Sequence, residues 1–251
     1  MFYLNRLLYV LILVLAGCAS QPPTGGLKHY TQLPLTEKAS VNFTARRPNF
    51  VVIHHTGGGS ALGALKTLTD PETQVSAHYL IGRDGTLYYL VDELARAWHS
   101  GDGYWSGVTD INSVSIGIEL DNNGSEAFTP PLINTLLKLL GDLKARYKIP
   151  TANFIGHADI TPGRKVDPSR YFPWNLLAQQ GFGLWCEPPF PKVSADWIDR
   201  DLLFALGYEA VNLKAAIGSF RLHFAQPSNA LQLSEEERGL LVCLIGQKQK
   251  R

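Results

Sequence analysis

Two short apolar runs, each ending in a histidine, constrain the fold of this chain more than any other feature. Phe50-Val51-Val52-Ile53 leads into His54, and Asn153-Phe154-Ile155-Gly156 leads into His157. Short runs rich in β-branched and aromatic residues read as buried strands. If the two strands are neighbours in one sheet, their ends converge on one point. Asp167 follows His157 by ten residues, and Thr161-Pro162-Gly163-Arg164 between them can turn the chain back to that point. One histidine from each strand plus Asp167 would make a three-ligand zinc site with an open fourth position. Spacing alone leaves a plainer alternative, because a histidine in a strand is more often a packed core residue than a ligand.

The other patterns place these strands in a mixed sheet. His78-Tyr79-Leu80-Ile81 and Thr86 to Val91 flank Gly82-Arg83-Asp84-Gly85, a hairpin signal because Asp-Gly tolerates positive φ. Val114 to Leu120 alternates as a further strand, and Ala61 to Leu68 reads as a helix after the Gly57-Gly58-Gly59 loop. Thr129 with Pro130 opens a helix whose Leu132, Ile133, Leu136, Leu137, Leu140 and Leu143 recur at helical spacing. Trp174 to Gln180 is a short helix. Strands and helices alternate without a regular βαβ rhythm, which predicts an α/β chain of the α+β type with helices flanking a mixed β-sheet. After Pro188, Pro189 and Pro191, three helical patterns (196–206, 211–224 and 234–247) predict a small C-terminal three-helix module that docks on the main domain. The expected division is 45–185 for the main domain and 192–251 for the module.

A chain of 251 residues with a net charge of +1 lacks the basic surplus expected of a nucleic-acid binder. The apolar run Leu7 to Leu15 behind Arg6 reads as a secretory signal. An ordinary signal peptide or a membrane anchor would also fit. Leu15-Ala16-Gly17-Cys18 resembles the bacterial lipobox, with 1–17 removed, Cys18 lipidated (palmitate among its acyl chains) and 18–44 serving as a polar tether. Ala19 after that cysteine suggests an outer-membrane address, facing the periplasm of a diderm. Cys186 and Cys243 remain in the mature chain, either as a disulfide or as two separately buried thiols.

Four segments carry a resemblance to a known family: Ile53-His54-His55-Thr56, Ala97-Trp98-His99, Ser115-Ile116-Gly117-Ile118-Glu119, and Gly156-His157 through Asp167-Pro168. In that order they resemble the type 2 zinc N-acetylmuramoyl-L-alanine amidases, relatives of the peptidoglycan-recognition proteins, over about residues 45 to 182. With the lipobox and the helical C-terminus, the chain looks like the envelope-anchored lipoprotein branch. The C-terminal segment resembles a degenerate peptidoglycan-binding module through Gly207-Tyr208 and Arg221-Leu222-His223-Phe224.

The resemblance implies Zn2+ held by His54, His157 and Asp167, and hydrolysis of the amide between N-acetylmuramic acid and L-alanine in peptidoglycan or muropeptides. Glu119 would carry the proton from water to the leaving amine, and Lys165 would face the oxyanion. His78, Trp98, His99 and Arg164 are candidate substrate contacts, and His78 and His99 could instead orient the site. Asp159 is expected to bond the loop backbone, His55 to be a cleft wall or a partner of a ligand, and His223 has no supporting context. A monomer is expected. The competing functions are a non-catalytic recognition module and a zinc peptidase that cuts within the stem peptide.

Overall fold

The computed structural model describes residues 34, 47–194 and 196–249; Cys18 and the signal sequence lie outside them. Five strands are present among the described residues: β1 (Phe50–His55), β2 (Tyr79–Ile81), β3 (Leu87–Tyr89), β4 (Ser115–Leu120) and β5 (Phe154–Gly156). They form one mixed sheet in the order β3-β2-β4-β1-β5. Strand β1 runs parallel to both β4 and β5, and β2 runs parallel to β4 but antiparallel to β3. Four parallel strands (β2, β4, β1 and β5) thus end on one sheet edge, the edge where open α/β sheets bind ligands. The register sets His54 beside Glu119 and Ile53 beside Gly156, one residue before His157.

Alternation along β1 explains the two cores. Val51 and Ile53 face α2 (Pro130–Tyr147) and join Ile116, Ile118, Leu132, Leu136, Leu140 and Leu143 in one buried cluster. Phe50 and Val52 face the other way. They share a second cluster with Ile155, Ile160 and the C-terminal helices α5 (Asp199–Leu206), α6 (Leu213–Phe224) and α7 (Glu235–Gln249). The C-terminal helices thus share one apolar core with the sheet. Cys186 and Cys243 form a disulfide with Cα atoms 6.3 Å apart, tying α7 to the segment that precedes the module.

Two shorter helices complete the site's surroundings. Helix α1 (Ala61–Thr69) is capped by the Ser60 hydroxyl, which accepts from the Gly63 N–H, and none of its residues is buried. The strand leading to His157 ends at Gly156, as expected, and His157 opens the single-turn helix α3 (His157–Ile160). The cause is local: the Asp159 carboxylate accepts the Gly156 N–H at 2.7 Å and turns the chain out of the sheet. Beyond it, Arg164 N–H bonds the Thr161 carbonyl at 3.1 Å with Gly163 at φ +78°, and Ala158 N–H bonds the Asp167 carbonyl at 2.8 Å. That closed loop is what brings Asp167 back. Helix α4 (Trp174–Gln179) follows it. Among the described residues no helix is long and apolar enough to cross a membrane.

Candidate metal centre

His54, His157 and Asp167 converge, and all three are buried. His54 Nδ1 lies 3.0 Å from His157 Nδ1 and 3.1 Å from Asp167 Oδ2, and His157 Nδ1 lies 3.1 Å from the same oxygen. A tetrahedral ion with nitrogen and oxygen ligands at about 2.0–2.2 Å spaces its donors about 3.3–3.5 Å apart. The observed triangle is a few tenths of an ångström tighter, so a small outward shift of the donors admits a metal and leaves a fourth position free.

The hydrogen bonds behind the two rings dictate the tautomers. His157 Nε2 sits 3.2 Å from the Ser100 carbonyl, which can only accept, so Nε2 carries the proton and neutral His157 aims a lone pair from Nδ1. His54 is set by a longer chain. Ser115 Oγ–H donates to the Ile111 carbonyl at 2.7 Å, so Ser115 Oγ accepts from His99 Nε2 at 3.1 Å. Neutral His99 then accepts at Nδ1 from His54 Nε2, 3.1 Å away. His54 Nδ1 is left with a lone pair. Burial, then the neighbouring His157, lowers the His54 pKa to about 4, and burial followed by His54 and His78 holds His99 well below the usual range. In these tautomers two imidazole lone pairs and a carboxylate point at one spot, and a cation there would replace the protons that otherwise bond the two rings to Asp167.

One side chain organises both chains. Asn112 Oδ1 accepts the N–H of His99 at 3.0 Å and of Ser100 at 2.9 Å, fixing the dipeptide that backs both histidines. Arg164 donates to the Ser100 carbonyl at 2.9 Å and the Asp102 carbonyl at 2.7 Å from the same loop. His99 fits over β4 because residue 117 is glycine; a Cβ there would stand 2.3 Å from the imidazole.

Above the triangle opens a cleft of about 380 Å³. Its floor includes His54, Glu119, His157 and Asp167, and Lys165 stands at its rim. Ser60, Gly63, Ala64, Thr67 and Leu68 of the α1 segment form one wall, with Val75 and the half-exposed Trp98 beside them. Glu119 Oε2 is buried without a hydrogen-bond partner. Burial, then the nearby Asp167 charge, pushes the Glu119 pKa up to about 8, with Lys165 opposing. Asp167 is also buried, but its bonds to His157 and His54 outweigh that and hold it well below the usual carboxylate range.

The remaining predicted residues are distributed unequally. His99 and Trp98 line the cleft. His78 is fully buried; its Nδ1 accepts the Gly117 N–H at 3.0 Å and its Nε2 donates to the Ala95 carbonyl at 3.1 Å, so both ring nitrogens are taken by backbone. Arg164 spends its guanidinium on loop carbonyls as described. His55 lines the cleft and accepts the Ser169 N–H at Nδ1, 3.1 Å away, two residues beyond Asp167. Sequence reasoning missed Ser100, Asn112 and Ser115. Ser100 acts through its carbonyl, Asn112 through backbone N–H groups 12 and 13 residues away and Ser115 through the His99 ring, so neither periodicity nor motif spacing marks them.

A mixed sheet whose parallel strand ends and following loop carry a His-His-Asp donor triangle beneath an open cleft, with a half-buried glutamate whose Oε2 has no partner alongside, defines a protein of the metal-dependent hydrolase class. The family model for N-acetylmuramoyl-L-alanine amidase (Amidase_2) matches residues 44–170, just over half of the chain and all three donors. The chain belongs to that family. It is 40% identical over 189 residues to the N-acetylmuramoyl-L-alanine amidase AmiD of Escherichia coli K12, an alignment covering 69% of this chain and 66% of that protein. It is 36% identical over 145 residues to the 1,6-anhydro-N-acetylmuramyl-L-alanine amidase AmpD of Salmonella typhimurium, covering 51% of this chain and 78% of that one. Among solved structures it resembles the complex of E. coli AmiD with anhydro-N-acetylmuramic acid-L-Ala-D-γ-Glu-L-Lys, with a TM-score of 0.73 and 31% identity over 85% of this chain and 95% of that one.

Proposed function

We propose that this chain hydrolyses the amide bond between the lactyl group of N-acetylmuramic acid and L-alanine in peptidoglycan or its fragments, using zinc held by His54, His157 and Asp167. The observation that carries the proposal is the triangle of lone-pair donors 3.0–3.1 Å apart beneath the cleft, next to the unpartnered Glu119. Zinc bound there supplies Lewis-acid activation of the amide carbonyl and of water. The chain's own groups do the rest. Glu119 takes the proton of the attacking water and delivers it to the alanine nitrogen as the bond breaks, a role suited to a carboxylate whose pKa burial raises and whose Oε2 has no other partner. Lys165 at the rim offers positive charge to the developing oxyanion. Trp98, half-exposed on the cleft wall, offers a flat face to a sugar or to the stem peptide. The relatives named for 1,6-anhydro-muropeptides make that form a substrate to test first.

The chain is further read as a monomeric lipoprotein of the envelope, acylated at Cys18 behind the signal 1–17, tethered by 18–44 to the outer membrane and facing the periplasm. Residues 45–185 are the catalytic domain and 192–251 the helical module. The disulfide supports an oxidising compartment.

Mass spectrometry of muropeptides digested by the zinc-loaded protein tests the activity. Free stem peptides with N-terminal alanine are expected. Cleavage within the stem would instead make the chain a zinc peptidase, and tight binding without products would make it a recognition module.

A further inference from the structure

We propose that Tyr208 and His223, from the C-terminal helical segment, form a latch that positions the metal ligand His157 by holding Asp159. The proposal rests on the reading of His157 as a ligand.

The turn that carries His157 cannot hold itself. Helix α3 is four residues long, below the length at which a helix persists unaided. Its third residue, Asp159, is buried yet lies outside the donor triangle. Three donors meet its carboxylate: the Gly156 N–H at 2.7 Å, the Tyr208 hydroxyl at 2.6 Å and His223 Nδ1 at 2.7 Å. Two of the three come from residues 49 and 64 positions further along the chain. Both are themselves clamped. Tyr208 is fully buried edge-on to Trp105 at 5.0 Å, and the His223 ring stacks on Trp174 and on Phe224, each at 3.7 Å. Helix α6 also comes so close to the loop between His157 and Asp167 that a Cβ on Gly163 would lie 2.9 Å from the Ala215 Cβ.

An apolar contact would suffice to dock the module, and the shared core already provides one. A buried carboxylate with two long-range donors adds direction: it fixes where Asp159 points, and with it the backbone two residues away at His157. Without those donors the buried carboxylate must move to find water, and α3 moves with it. The module then belongs to the machinery that holds the metal.

The test uses the whole mature chain with its disulfide, zinc affinity by chelator competition, and hydrogen exchange of the amides of 157–161. Tyr208→Phe combined with His223→Leu is expected to weaken zinc binding about tenfold to a hundredfold, the range for partners of metal ligands, and to speed exchange in α3. Tyr208→Phe combined with His223→Asn, which keeps a donor at the Nδ1 position and loses nothing at the unpartnered Nε2, is expected to recover most of that loss. Unchanged zinc affinity and exchange in the first variant overturn the latch, as does a failure of the asparagine to recover either. If the double variant does not fold, Tyr208→Phe alone is read by the same two measurements. A wild-type protein that takes up no zinc would sink the metal assignment, and exchange in 157–161 would then decide the latch by itself.

Discussion

Asp167 is a buried carboxylate and Glu119 a half-buried one in the same cleft, yet their surroundings push them apart. Asp167 meets two imidazoles and stays ionised, whereas Glu119 Oε2 meets no donor and burial pushes the Glu119 pKa up to about 8. Asp167→Ala is expected to abolish zinc retention and lower turnover at least about a hundredfold, with the fold kept; metal content and circular dichroism check it, and undiminished turnover would rule out the ligand set. Glu119→Gln is expected to cost about 10²–10⁴-fold in turnover while zinc binding persists. The same change has a stability signature. A pKa raised from 4.5 to about 8 means the neutral carboxyl's contribution is complete below pH 4.5 and is lost as pH rises through 8. Zinc-free wild type should therefore lose about 2–5 kcal/mol relative to Glu119→Gln between those limits. Urea unfolding at pH 5 and 8.5 measures it, and parallel profiles for the two proteins would contradict it. At this scale the sequence was legible where a strand end delivers chemistry, as at His54 and Glu119. Asn112, Ser115 and Ser100 were not, because their contributions exist only once loops 99–102 and 111–115 meet.

Strand β4 shows how an element positions the site. Ser115, Gly117 and Glu119 share the face on which His99 lies, while Ile116 and Ile118 fill the opposite core. That alternation was readable as a strand; the demand for glycine at 117 was not, since it comes from a histidine 18 positions earlier in the chain. Gly117→Ala forces a Cβ to 2.3 Å from the His99 ring and is expected to destabilise the protein by about 1–3 kcal/mol. Zinc affinity should fall with it as His99 is displaced from His54. Denaturant unfolding and chelator competition on the same samples test both, and an unshifted midpoint would contradict the fit. Helices α2 and α6 were legible from their spacing, whereas α3 was not. Four residues carry no period, and the Asp159 carboxylate that starts the turn is satisfied by partners far along the chain.

The described residues are held by two cores on opposite faces of one sheet and by one covalent tie. The Cys186–Cys243 bridge closes a separation of 57 residues, for which loop entropy gives at most about 4 kcal/mol. Replacing both cysteines by serine is expected to lower unfolding free energy by about 2–4 kcal/mol, with the zinc site intact; an unchanged denaturation midpoint would show that the bridge constrains little. Truncation after Pro191 uncovers the sheet face that carries Phe50, Val52 and Ile155. The shortened chain is expected to be insoluble or unfolded, and a soluble, zinc-binding 45–191 fragment would refute that. The sequence by itself determined the strands, the long helices and the two apolar runs ending in histidine, because these depend on local period and on chemistry at strand ends. Only the tertiary structure decided that His54 and His157 present Nδ1 lone pairs to one point with Asp167, that Glu119 is left without a partner, and that the C-terminal helices share the core. Each of those depends on groups far apart in the chain meeting in a buried place, where a hydrogen bond or its absence sets tautomer and charge.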